Sequence, residues 1–192
     1  MNETRPTMLS VADALSRVTH GILPLPEESV PLEQAHGRVL SKGFAARMTQ
    51  PPFDASAMDG YAVRTEDVTR VPCKLSVIGE AAAGRPFDGS VGAGEAVRIF
   101  TGGSVPNGAD AIVIQEDVTP DGDAITVNEG ADKGTFIRPR GFDFTQGDIL
   151  LPENRKLSAR DLALAAAMNV AEMAVRRKPR IAILATGDEL VM

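Results

Sequence analysis

Cysteine and histidine are nearly missing: the 192 residues contain one of the first, Cys73, and two of the second, His20 and His36. One thiol cannot close an internal disulfide, which fits a reducing compartment, and these three residues cannot build a Cys- or His-rich structural zinc site. A membrane-spanning run is also missing. The most apolar stretch, residues 162–175, is broken by Asn169 and Glu172 and falls short of the roughly 20 residues a helix needs to cross a bilayer. The opening residues MNETRPTML hold no apolar signal core, so the reading is against secretion. Positive charge is not in excess: 20 Lys and Arg face 26 Asp and Glu, a net charge of -6. That balance argues against nucleic acid or an anionic membrane as the main partner. Repeats and low-complexity tracts are absent. What remains is a soluble, cytoplasmic globular protein, long enough to bury a core without disulfides, as one large domain or two to three small ones.

Glycine marks the organisation. Fourteen of the 18 glycines lie between residues 47 and 150, where short strands are predicted between turns. The candidates are Tyr61–Arg64, Leu75–Ile78, Ala96–Phe100, Ala111–Gln115, Ala124–Val127, Phe136–Arg138 and Ile149–Leu151. Short runs with frequent breakers point to a small antiparallel sandwich or barrel. The flanks read differently. Met8, Val11, Ala12, Leu15 and Val18 form one apolar stripe at helical spacing. Ser10 and Asp13 make a capping-box pattern, and Gly21 can end the helix. Pro24, Pro26 and Pro31 read as an extended linker. A helical turn at Leu32–Ala35 should stop at Gly37, before a strand near Arg38–Phe44. A second helix is predicted from Ser158, with Asp161 in its capping box and Asn169 as terminator. A strand at Ala171–Val175, a basic turn and the apolar run IAILA (181–185) follow. That run has the pattern of a strand buried on both faces of a parallel sheet, left here without neighbours and therefore prone to aggregate.

Four segments could carry chemistry. PPFDASAMDGYAV (51–63) holds Asp54, Asp59 and Ser56. Loop carboxylates can hold Mg²⁺ or orient a water; Asp59-Gly60 can equally be a plain turn. RIFTGGSVPNGAD (98–110) is a strand and a Gly-rich loop whose amides could cradle an oxyanion, with Thr101 and Arg98 assisting. It can also be only a long hairpin connection. IRPRGFDF (137–144) sets Arg138 and Arg140 near Asp143, either as donors to an anion or as a local ion pair. ATGDEL (185–190) places Asp188 and Glu189 beyond the apolar run, where open α/β sheets bind ligands, although one of them can serve as a helix cap.

In this order, PPFDASAMDGYAV, RIFTGGSVPNGADAIVIQED, IRPRGFDF and ILATGDEL resemble the molybdopterin molybdenumtransferases, the MoeA and gephyrin E-domain family. The resemblance runs from about residue 8 to the end. It implies insertion of molybdate into adenylylated molybdopterin with Mg²⁺ assisting and AMP released. It also implies an elongated homodimer supplied by a molybdopterin adenylyltransferase. It makes Asp59, Thr101, Asp143 and Glu189 catalytic, Ser56 and Arg138 substrate-binding, and Asp59 and Glu189 the Mg²⁺ ligands. The fold class it implies is multi-domain α+β. A mixed α/β domain (24–46 and 145–176) would carry an inserted β-rich domain (47–144). Residues 1–23 would form a helix packed on the later α/β part, and 177–192 would open a truncated doubly wound domain. Family members are considerably longer, so the expectation is an N-terminal portion, inactive alone. The alternatives are a gephyrin-like interaction scaffold and a stand-alone phosphate-binding β module.

Overall fold

The structure, a computed structural model, describes residues 8–184. Helix α1 (Val11–Thr19) starts at Ser10, whose side chain accepts the Asp13 amide. Then come β1 (Glu27–Pro31), β2 (Phe44–Ala45), β3 (Ala55–Ser56), β4 (Gly60–Val63), β5 (Cys73–Ala81) and β6 (Glu95–Ile99). They are followed by β7 (Ala111–Ile114), β8 (Val118–Asp121), β9 (Ala124–Val127), β10 (Ile137–Arg138), β11 (Ile149–Leu151), α2 (Ala159–Ala167) and β12 (Glu172–Arg176). The chain is therefore mostly β, with two α-helices among the described residues. Neither helix is long and apolar enough to cross a membrane.

Two sets of cores form. The first gathers the chain's two flanks: Leu40, Leu151, Leu157, Met168 and Met173 are fully buried together. β1 pairs antiparallel with β12, Val30 opposite Met173. That pairing turns the proline-rich stretch expected to be a linker into a strand; Pro31, with no N–H to give, sits at the strand's last position. α2 packs here, closed by the full capping box of Ser158 and Asp161 and ended by Asn169 at φ 61°. The strand expected near Arg38–Phe44 is reduced to single bridges at Val39 and Leu40 and to the two-residue β2, because Ser41–Gly43 turn the chain between them.

The second set lies on a curled six-stranded sheet, ordered β7-β4-β6-β5-β9-β8. Neighbours are antiparallel except the parallel pair β5·β6. Successive residues point to opposite faces. Ala62, Val97 and Ile112 enter one core while Val63, Ala96 and Val113 enter another. Both faces are covered, so β4 and β7 read as apolar runs, while β6 sets Ala96, Val97 and Ile99 among the half-buried Glu95 and Arg98. β8 was not anticipated; it returns on β9 across Gly122 at φ 63°.

The two halves are joined by a narrow neck. β2 pairs with β11, and Gln50 bridges Phe144 just beyond it. At the ends the structure departs from expectation. The stripe of α1 is open: Val11 is 87% and Leu15 63% exposed, and no residue of the helix is buried. The expected apolar strand is not formed at residues 181–184, where Ile183 is 91% exposed; no described segment offers it a partner. Residues 185–192, with Asp188 and Glu189, lie outside the described residues.

Candidate functional site

The loop between β3 and β4, with the residues just before it, is stitched to two others. On one side the Ser56 amide donates to Gly103 O, and the Gly102 amide to Ser56 O, both at 2.9 Å. The Val105 amide reaches Asp54 O. On the other side β3 pairs with β10 and the Ala57 amide donates to Phe136 O at 2.8 Å. Asp54 adds a side-chain tie: its carboxylate accepts the Arg140 amide at 2.7 Å, and Arg140 Nε donates to Pro52 O at 3.1 Å. These interlocked backbones fix where the functional side chains stand.

Asp59 ends that loop. Its Oδ1 accepts both the Thr101 amide (2.8 Å) and the Thr101 hydroxyl (2.7 Å). The Thr101 amide, then its hydroxyl, then the nearby Arg98 charge hold the carboxyl below its ordinary value, so it is ionised at neutral pH. Oδ2 receives no donor among the described residues. The pairing of Asp59 with Thr101, 42 residues apart, was not readable from the sequence. Each stands out in the sequence only within its own segment.

Gly60 is not the turn glycine that Asp-Gly suggests. It lies inside β4, pairing with Ile99 on one side and Ile114 on the other. A Cβ there would stand 2.1 Å from Val113 O. Close backbone approach, not turn geometry, requires glycine.

In the Gly-rich loop, four of the amides expected to cradle an oxyanion are turned to the protein. The Thr101 amide serves Asp59, that of Gly102 serves Ser56 O, that of Gly103 serves Phe100 O, and that of Val105 serves Asp54 O. With those amides spent on the protein, the loop acts as a connector. Ser56, expected to contact substrate, is 1% exposed; its hydroxyl donates to Met58 O at 2.6 Å and braces the loop. Arg138 and Asp143 form the local pair: Nη2 reaches both carboxylate oxygens, at 2.8 and 2.9 Å, with the guanidinium 5.5 Å from the Phe142 ring centre. The structure thus joins Asp59 to Thr101 and Arg138 to Asp143, with β3 between the two couples. Glu189 is outside the description. The polar framework around Arg98 joins residues from separate strands and is not legible in the sequence.

Among the described residues no group of three or more His, Cys, Asp or Glu side chains is placed to hold a metal ion. Asp59 supplies one ionised carboxylate with an oxygen that takes no donor among the described residues, an arrangement that Asp148 shares beside Thr145. That suits a hard cation such as Mg²⁺, which takes one or two protein carboxylates and completes its shell with water and phosphate. Beside the loop lies a cavity of about 180 Å³, lined by Phe53, Ala82, Gly84, Pro86 and Ser104. A cavity of about 470 Å³ between Leu25, His36 and Arg176–Pro179 belongs to the other half and touches neither Asp59 nor Thr101.

The solved structure of the molybdopterin biosynthesis moeA protein from Pyrococcus horikoshii OT3 matches with a TM-score of 0.77 and 36% identity, over 80% of this chain and 42% of that one. The fold is that of molybdopterin biosynthesis MoeA proteins. The molybdopterin molybdenumtransferase of Haemophilus influenzae is 37% identical over 186 residues, which cover 96% of this chain and 46% of that protein. The Nostoc sp. protein of the same name is 39% identical over 168 residues, 85% of this chain and 38% of that one. Residues 9–169 match the family described as MoeA N-terminal region, domain I and II. The chain belongs to that family. It spans less than half the length of these relatives and corresponds to their N-terminal portion.

Proposed function

We propose that this chain supplies one wall of the cleft in which molybdate is inserted into adenylylated molybdopterin and AMP is released. The observation that carries the reading is the Asp59–Thr101 couple within the family's own segment. It is a carboxylate kept ionised, oriented by two donors on one oxygen and open on the other. In this role Asp59 Oδ2 faces the cation while Thr101 fixes the direction of the carboxylate. Bound Mg²⁺ would neutralise charge at the phosphoanhydride. Asp143, paired to Arg138, sets the orientation of that guanidinium at the cleft edge, and Glu189 supplies the second carboxylate. Ser56 contributes by bracing the loop that carries Asp59.

On this reading residues 24–46 with 145–176 are one domain, 47–144 an inserted one, and 177–192 the opening of a third, and the helix of residues 1–23 packs with the later α/β part. The working protein is a cytoplasmic homodimer, fed by a molybdopterin adenylyltransferase, and this portion alone is inactive. The spent loop amides and the Arg138–Asp143 pair speak against a stand-alone phosphate module. The test grafts this chain in place of the corresponding portion of the Haemophilus influenzae relative. The hybrid should form molybdenum cofactor from adenylylated molybdopterin and molybdate, and the Asp59→Asn hybrid should not. Undiminished activity of the Asp59→Asn hybrid would refute the reading.

A further inference from the structure

Arg98 carries a charge that no ion pair uses. It lies on β6, opposite Tyr61 of β4, partly buried, and none of the ion pairs among the described residues includes it. Its guanidinium lies over two rings, 5.0 Å from the centre of Tyr61 and 4.8 Å from that of Phe100. Nη1 donates to Gly60 O at 3.2 Å, and Nη2 to Gln115 Oε1 at 2.6 Å. The main-chain amide of Gln115 in turn donates to Asp59 O at 3.1 Å. One planar fork therefore grips the main chain on both sides of the Asp59–Gly60 peptide, directly at Gly60 and through Gln115 at Asp59.

We propose that Arg98 is a positioning residue for Asp59: its guanidinium clamps the Asp59–Gly60 main chain so that the carboxylate meets Thr101, and it is not itself a ligand for an anion. This replaces the expectation that Arg98 assists anion binding, and it rests on the proposed role of Asp59. Nη1 and Nη2 are each turned to a protein acceptor, and the guanidinium lies over two aromatic rings. The flat fork is what the site needs. Lysine keeps the charge, but as a point donor on a flexible stem it cannot serve both acceptors while lying over two rings. The position of Arg98 also adds to the low pKa of Asp59.

The test uses the 192-residue chain and NMR, without metal or substrate. In Arg98→Lys and Arg98→Gln, exchange of the Thr101 amide should speed up by about tenfold or more, while the amides of Val63 and Ile112 keep their protection. Unchanged Thr101 protection would overturn the proposal. So would perturbation of the Arg98 side-chain resonances of the parent chain by added inorganic pyrophosphate. If either variant loses protection everywhere, Gln115→Ala decides, because it removes one acceptor without touching the core. Local loosening at Thr101 supports the clamp, and none refutes it. These readouts do not depend on turnover. An Asp59→Asn hybrid that remained active would sink the functional reading while leaving the clamp measurable.

Discussion

Changing Gly60 to alanine probes the sheet and the site together. The new Cβ would stand 2.1 Å from Val113 O and 2.9 Å from Ile114 Cα, both backbone atoms of the neighbouring strand. Neither can swing away as a side-chain tip would. β4 is held on both sides, by β6 and β7, so relief requires the β4·β7 ladder to part. Overpacking costs about 1–3 kcal/mol, and a contact against backbone in an interior strand belongs at the upper end. At about 3 kcal/mol, a chain of this size should melt about 6–12 °C lower. Thermal unfolding followed by far-ultraviolet circular dichroism measures it. Gly122→Ala is the reference. Nothing lies within 4 Å of a Cβ there, and only the φ of +63° penalises it, at about 1–2 kcal/mol. A Gly60→Ala protein melting within about 2 °C of the parent would refute the close-approach argument.

The other predictions concern the half built from the flanks. Leu40→Ala empties a fully buried position and should cost about 2–5 kcal/mol, read from the urea midpoint at constant m; a loss below about 1 kcal/mol would contradict the packing. The Asp161 carboxyl is held below its ordinary value by the Ser158 hydroxyl and amide and then by Arg155. A depressed folded pKa stabilises above the unfolded value, about 3.9, and that gain is lost as pH falls through the folded one. The stability gap between the parent and Asp161→Asn should therefore be full near pH 6 and shrink below about pH 4; a gap independent of pH would count against it. Removing residues 1–20 should leave the melting temperature unchanged, since α1 buries none of its residues. A clear drop would mean that the helix is covered after all.

What the sequence discloses is what its neighbours in the chain decide. Both helices announce themselves through Ser10 with Asp13 and Ser158 with Asp161, because caps act over three residues. The strands at 60–63 and 111–114 are legible because burial on both faces leaves short apolar runs, and that at 95–99 through Ala96, Val97 and Ile99 despite Glu95 and Arg98. β1 is hidden because its stabilising partner, β12, lies about 145 residues away and its own prolines argue for a linker. At the site, Asp59 and Thr101 could be picked out by residue type and motif. That one binds the other, that the loop amides are already spent, and that Gly60 is a strand residue are all facts of tertiary approach. Arg98 shows the limit most clearly. Its charge suggested a ligand, whereas its geometry makes it a brace.

The neck has a consequence for how the chain can be cut and rejoined. Chain enters the six-stranded half through β2 and leaves it through β11, strands that lie hydrogen-bonded side by side. The Gln50 amide donates to Phe144 O at 2.9 Å just past them. Entry and exit are therefore neighbours in space although nearly a hundred residues separate them in sequence. A tight turn can close either gap. The inner stretch can be excised and carried on another host's hairpin, and the outer half can be healed across the wound, with each keeping its own apolar interior. Asp59 and Thr101 would travel together with the excised piece, still bonded to each other.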